Sequence, residues 1–224
     1  THNTLVGGLA GDSMTTAVHN VAIGYNAMTA VTEGNTNIAI GRDALATNTV
    51  GDRNVAIGHE ALMTMNPTGD SDNYNVAVGY NAGKAVTTGA QNTILGGLAG
   101  DALTTGSENI MIGYNAGTAT TIANNNVAIG IGALATNVAA DRNVAIGTQA
   151  LTAMTLATTA DHFNVAVGNK AGFAVTSGVN NTLLGASAGD ALTTGDNNII
   201  IGKDAAASAV GVDNETVIGT ATTT

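Results

Sequence analysis

Hydrophobic and polar positions alternate in a short unit that returns along the whole chain. The unit reads Asn-Val-Ala-Ile-Gly at 20–24. Its first residue recurs at Asn3, Asn20, Asn37, Asn54, Asn75, Asn92, Asn109, Asn126, Asn143, Asn164, Asn181, Asn198 and Glu215. The spacing is 17 residues, apart from two gaps of 21 that follow Asn54 and Asn143. A fixed short period predicts a solenoid in which each repeat is one coil stacked on the last. Within the unit the apolar residues stand two apart and are β-branched, and Gly recurs in every coil. All three features favour strand over helix. The expected fold is all-β: a parallel β-roll, or β-solenoid, of about thirteen coils, with the repeated segments as parallel strands in register.

Counting from the repeated Asn as zero, position 1 is Val, Ile or Thr and position 3 is Val, Ile or Leu. Side chains alternate across a strand, so both lie on one side. That side is expected to face the inside of the coil. Position 2 then points outward, yet no copy of it is polar: Leu5, Ala22, Ala39, Ala56, Ala77, Ile94, Met111, Ala128, Ala145, Ala166, Leu183, Ile200 and Val217. A strand apolar on both faces is buried on both. Such a column predicts an interface with further copies of the chain.

Position 4 is Gly in all thirteen copies, which predicts a corner with positive φ or close approach to the next coil. Position 7 is Ala in the first twelve, and a second short strand is expected through it. Positions 8 and 11 trade size, as in Gly83 with Val86 or Leu45 with Asn48, which suggests one shared space. Position 10 is always small in those copies and reads as cramped. Stacked Asn side chains are expected to hydrogen-bond along the coils.

A longer period overlies the first. Asp52 to Gly58 returns at 141–147, an offset of 89 residues, so the duplicated block is five coils. The blocks are 3–91, 92–180 and a partial 181–224, read as one continuous domain over 1–224. The two 21-residue coils place loops at 66–74 and 155–163. Insertions in a solenoid map to surface loops. Asp70, Asp72, Tyr74, Asp161, His162 and Phe163 are therefore candidate contact residues, with Tyr74 and Phe163 as alternative lids over the wider coil.

Composition narrows the function. Aromatic residues make up only 3 %, and there is no Cys, which excludes disulfides, thiolate metal sites and Cys nucleophiles. A net charge of −10 argues against nucleic acid and against anionic membranes. No apolar run is long enough to span a bilayer. The chain starts at Thr1, as a piece of something longer would. The four His form no metal-ligand spacing. Asp43, Glu60 and Asp204 share position 6 and read as a solvated outer face. The run Gly69 to Asn73 lacks the full spacing of a calcium loop. Tyr25, Tyr80 and Tyr114 share position 5, but too many other residues occupy it to make an aromatic stripe. No catalytic, metal or cofactor site is expected.

Asn-Val-Ala-Ile-Gly followed by a constant Ala resembles the YadA-like head repeats of trimeric autotransporter adhesins. Similar repeats occur in bacteriophage tail fibres. The resemblance covers essentially the whole chain, although the period here is longer. It implies a left-handed roll, three chains about a fibre axis, and exposure outside a cell or on a virion. The expected function is thus a non-enzymatic structural fibre segment, the head or shaft of a surface adhesin or tail fibre. Its partners would be two further copies of itself and a host-surface glycan or protein. A glycan- or ice-binding module is the second reading. A β-helical polysaccharide lyase or depolymerase is the third, and lacks a cluster of catalytic side chains.

Overall fold

The computed structural model describes residues 2–69, 71–155 and 159–219. They form two compact units, Thr1–Asn109 and Ile110–Thr224. Both are parallel β-solenoids without helix, about twelve turns in all. The first unit stacks β1 (Thr4–Val6), β2 (Val21–Ile23), β3 (Ile38–Ile40), β5 (Val55–Ile57), β7 (Val76–Val78) and β8 (Thr93–Leu95). The second stacks β9 (Ile110–Ile112), β10 (Val127–Ile129), β12 (Val144–Ile146), β14 (Val165–Val167), β15 (Thr182–Leu184), β16 (Ile199–Ile201) and β17 (Thr216–Ile218). Pairing is parallel and in register: Ala22 lies opposite Ala39, and Ala39 opposite Ala56. The two long coils add short pairs, β4 (Gly51–Asp52) with β6 (Ser71–Asp72) and β11 (Ala140–Asp141) with β13 (Ala160–Asp161).

The Asn column is the expected ladder. Asn37 N–H donates to Asn20 Oδ1 at 2.8 Å, and Asn54 N–H to Asn37 Oδ1 at 2.9 Å. Many of these amides also tie down the end of their own coil: Asn20 Nδ2 donates to the Gly34 carbonyl at 2.8 Å, and Asn181 Nδ2 to the Gly195 carbonyl at 2.8 Å. The side chains are buried, so these bonds satisfy groups that water cannot reach. Position 4 is the expected corner on both counts. Gly24 has φ +135°, and a Cβ on it would lie 2.6 Å from the Gly41 carbonyl oxygen.

Which side of the strand faces inward is the reverse of the expectation. Ala22, Ala39, Ala56, Ala77, Ile94, Met111, Ala128, Ala145, Ala166, Leu183 and Ile200 are all buried within the chain itself. Only Leu5 and Val217, in the outermost coils, retain exposure. This column is core and is not an interface. Positions 1 and 3 face outward and are half-buried or exposed, with Ile38 and Ile40 each at 36 %.

The reason is the narrowness of the coil. Position 2 shares its space with position 8, and the two are complementary in size. Ala22, Ala39, Ala56, Ala128 and Ala145 go with Met28, Leu45, Leu62, Leu134 and Leu151. Leu5, Ile94, Met111 and Leu183 go with Gly11, Gly100, Gly117 and Gly189. A Cβ on Gly117 would lie 2.7 Å from Met111 Sδ. Interiors are filled to crystal-like density, so positions 2 and 8 of one coil hold at most one large side chain between them.

The expected exchange between positions 8 and 11 is secondary, since Leu62 and Met65 are large together and both buried. Asn48 and Asn137 stand at position 11 for their hydrogen bonds. Asn48 accepts from Gly51 N–H at 2.9 Å and donates to the Gly51 carbonyl at 2.8 Å. Asn137 does the same for Ala140. Each secures the turn beside an inserted loop.

No strand runs through position 7. Residues 25–30 are successive turns, because Asn26 (φ 57°) and Met28 (φ 53°) on either side of Ala27 are left-handed. An extended segment needs negative φ throughout. Coil-to-coil bonds continue regardless, as in Met28 N–H to the Ala44 carbonyl at 3.0 Å. Position 10 is not cramped: Ser13 and Thr47 are exposed, and Ala30 is half-buried.

Candidate functional site

With position 2 inside, chemistry on this chain belongs to the outward columns. The residue before each Asn is left-handed in every repeat, from His2 at 64° to Asn214 at 59°. Its side chain therefore projects, and neighbours in this column stack. The rings of His2 and His19 lie 5.2 Å apart and nearly parallel. Both precede a repeated Asn, a shared register that reading the four His for metal spacing had missed.

The two loops use the same column. Arg53 pairs with Asp72 and lies over the Tyr74 ring at 5.6 Å, while Tyr74 Oη donates to Asp72 Oδ2 at 3.1 Å. At the equivalent place Arg142 pairs with Asp161 and lies over the Phe163 ring at 5.7 Å. Tyr74 and Phe163 are 47 % and 50 % exposed, so they stand outward and are not lids over the wider coil. His162 is 3 % exposed, its Nδ1 2.7 Å from the Ala160 carbonyl oxygen, and is structural instead of a contact residue. Asp72 and Asp161 remain at the surface. Asp70 lies outside the described residues.

Positions 5, 6 and 9 form a second outward face. In the first unit it is an ion-pair network. Lys84 Nζ is 2.6 Å from Glu60, which also has Arg42 and His59 at 3.8 Å, and Arg42 reaches Asp43 at 3.0 Å. The His59 ring stacks on Tyr80 at 5.4 Å. The hydrogen bond from Lys84 holds the Glu60 carboxyl below its usual range and raises the Lys84 ammonium above its own. Asp43 and Glu60 are thus side chains in a network, with 20 % and 16 % exposure, where a solvated face had been expected; Asp204 keeps 61 %. Asp43, His59 and Glu60 bring ligand atoms within 4.8 Å of one another. The cations of Arg42 and Lys84 already occupy the carboxylates, and the arrangement is read as ion pairing.

In the second unit the same face holds a groove of about 390 Å³, lined by Tyr114, Asn115, Thr118, Ile131, Gly132, Ala135, Thr148, Gln149 and Thr152. Its walls are positions 5 and 9 of three successive coils, and its floor is position 6. None of these side chains is charged at neutral pH.

A third feature is a Thr column at position 12: Thr15, Thr32, Thr49, Thr87, Thr104, Thr121, Thr155, Thr176 and Thr193. The period of 17 places these Thr residues at one position of successive coils. Thr32 Oγ1 donates to the Thr49 carbonyl at 3.2 Å, and Thr193 Oγ1 to the Val210 carbonyl at 2.9 Å. Those hydroxyl protons serve the stack.

No helix among the described residues is long and apolar enough to cross a membrane. Comparison with models of known protein families, with curated proteins and with solved structures finds no match to this chain.

Proposed function

We propose that this chain is a non-enzymatic structural segment of a surface fibre, the head or shaft of a trimeric adhesin or tail fibre. The handedness, taken from the resemblance, is left. The observation that carries the reading is the outward face of the strands. Positions 1 and 3 present Val, Ile and Leu in every coil, with Thr4, Thr93, Thr182 and Thr216 the only polar members. In the second unit Ile110, Val167 and Ile199 are 38 %, 36 % and 42 % exposed, and the face carries no charge.

An apolar sheet face of this kind attracts a partner. Its ridges repeat at the coil spacing, about 4.8 Å, and a second copy of the chain has the same spacing by construction. The occupant proposed is therefore the chain itself, and three copies follow from the resemblance. A fibre of this kind would act outside the cell or on a virion, extending a tip toward a host-surface glycan or protein.

Sedimentation equilibrium tests this. Wild type is expected at three times the chain mass. Ile40→Asp and Ile199→Asp should dissociate it or drive aggregation, while Lys203→Ala, on the face of positions 5, 6 and 9, should not. A folded wild-type monomer that tolerates both Asp substitutions would overturn the proposal.

A further inference from the structure

We infer that the outward Thr residues of position 1 fix the register in which copies of this chain associate, each coil level with the same coil of its partners. The inference rests on the self-association proposed above and adds what selects one alignment over its neighbours. Three copies about an axis are parallel by symmetry, but symmetry does not set their level. An apolar face that repeats at the coil spacing does not set it either. A copy slipped by one coil still lays ridge against ridge and buries nearly the same area, since positions 1 and 3 carry Val, Ile or Leu at most levels.

Four levels differ. Thr4, Thr93, Thr182 and Thr216 stand at position 1, where the other nine coils have Val or Ile. Duplication of the five-coil block accounts for the first three, which recur at 89 residues. Thr216 lies outside that series, where the earlier blocks have Ile38 and Val127. In the first unit the ladder places Val21 beside Thr4 and Val76 beside Thr93. In the second, Thr182 lies between Val165 and Ile199, and Thr216 follows Ile199. Each Thr is thus an isolated polar level in an apolar column.

Thr and Val are close in shape and differ by a hydroxyl in place of a methyl, so hydrogen bonding tells them apart where packing does not. Among the described residues, the hydroxyls of Thr93 and Thr182 make no hydrogen bond within the chain. Those of Thr87 and Thr176, at position 12, donate to the carbonyls of Thr104 and Thr193 at 3.2 Å. Thr93 and Thr182 are half-buried in the single chain, within reach of water. A partner laid on the face removes that water. With the copies level, Thr meets Thr, and three hydroxyls about an axis can close a ring in which each donates once and accepts once. With a copy slipped by one coil, Thr93 meets Val76, Thr182 meets Val165 or Ile199, and the hydroxyls are buried unpaired. A lone polar residue in an apolar seam sets the register of coiled coils in the same way. A slip of five coils brings Thr4 level with Thr93 but leaves the apolar face of the surplus coils uncovered.

The test is native mass spectrometry of the full chain co-expressed with a copy of different mass, marked by a short tag. A shifted variant carries Thr93→Val with Val76→Thr and Thr182→Val with Val165→Thr. It moves both polar levels by one coil on the outward face and leaves the core column untouched. Alone it should form trimers as wild type does. Co-expressed with wild type it should sort from it, with mixed trimers at least about fivefold below random proportions. Thr93→Ser with Thr182→Ser keeps the hydroxyls and should mix with wild type at random. Random mixing of shifted and wild-type chains, a shifted variant that does not associate with itself, or sorting by the Ser variant would overturn the inference and leave the wild-type trimer standing. A wild type found only as monomer would overturn the reading beneath it, and the inference with it.

Discussion

Ile94 fills the space that Gly83, in the coil before it, leaves open: a Cβ built on Gly83 would lie 2.8 Å from Ile94 Cδ1. Leu62, in the coil on the other side, approaches the same point at 3.1 Å. The coil of Gly83 is small at both position 2 (Ala77) and position 8, and its neighbours complete its core. The second unit repeats the device with Gly172 between Leu183 and Leu151.

Gly83→Ala should therefore destabilise the chain by about 1–3 kcal/mol through overpacking, with the left-handed φ of 58° adding to it. Ile94→Val removes the group in conflict and should recover part of the loss. Denaturant midpoints of the two single variants and the double variant measure the coupling. Strict additivity would show that the two residues do not share the space.

The size rule between positions 2 and 8 predicts a reciprocal swap. Ala22→Ile should overpack a fully buried site, and Met28→Gly should leave a cavity costing about 2–5 kcal/mol. Together they reproduce the pairing of Ile94 with Gly100, so the double variant should be more stable than either single one. Thermal unfolding decides it. A double variant worse than both would break the rule.

Asn54→Ala removes the acceptor of Asn75 N–H (3.1 Å) and the donor to the Asp52 carbonyl (3.0 Å). Leaving a buried N–H unpaired should cost about 1–3 kcal/mol. Hydrogen exchange should rise first at Asn75 and its neighbours. Exchange unchanged there would mean that the ladder is not what holds these coils together.

Glu60 and Lys84 give a small pH dependence with a definite sign. The folded carboxyl sits below its ordinary 4.5, so its contribution is present above that value and fades as pH falls through the folded pKa. The folded ammonium sits above its ordinary 10.5, so its contribution is whole below that value and fades as pH rises past it. Lys84 is 38 % exposed, and solvent screening holds the pair to about 1 kcal/mol or less. The stability gap between wild type and Glu60→Gln should be flat through neutral pH and close in acid. A gap that widens as pH falls would reverse the assignment.

The sequence by itself determined the period, the parallel register, the Asn ladder and the Gly corner. Each of these is a condition on one position repeated in every coil, and repetition makes it visible. Asn37 must serve Asn20 just as Asn54 serves Asn37. The existence of an outward apolar face was also legible, because a strand reading Val-Ala-Ile is apolar on both sides. Which side is outward was decided only by the tertiary structure. Alternation separates the two faces of a strand without ranking them, and the bulkier Val and Ile suggested an interior that a 17-residue coil has no room for. The ranking lies in a relation between positions, Ala22 with Met28 and Met111 with Gly117, and it acquires meaning once the chain has turned back on itself. The groove was hidden for the same reason. Gly132 is one glycine among many in the sequence, and it becomes a gap only when Tyr114, Asn115 and Gln149 are stacked around it.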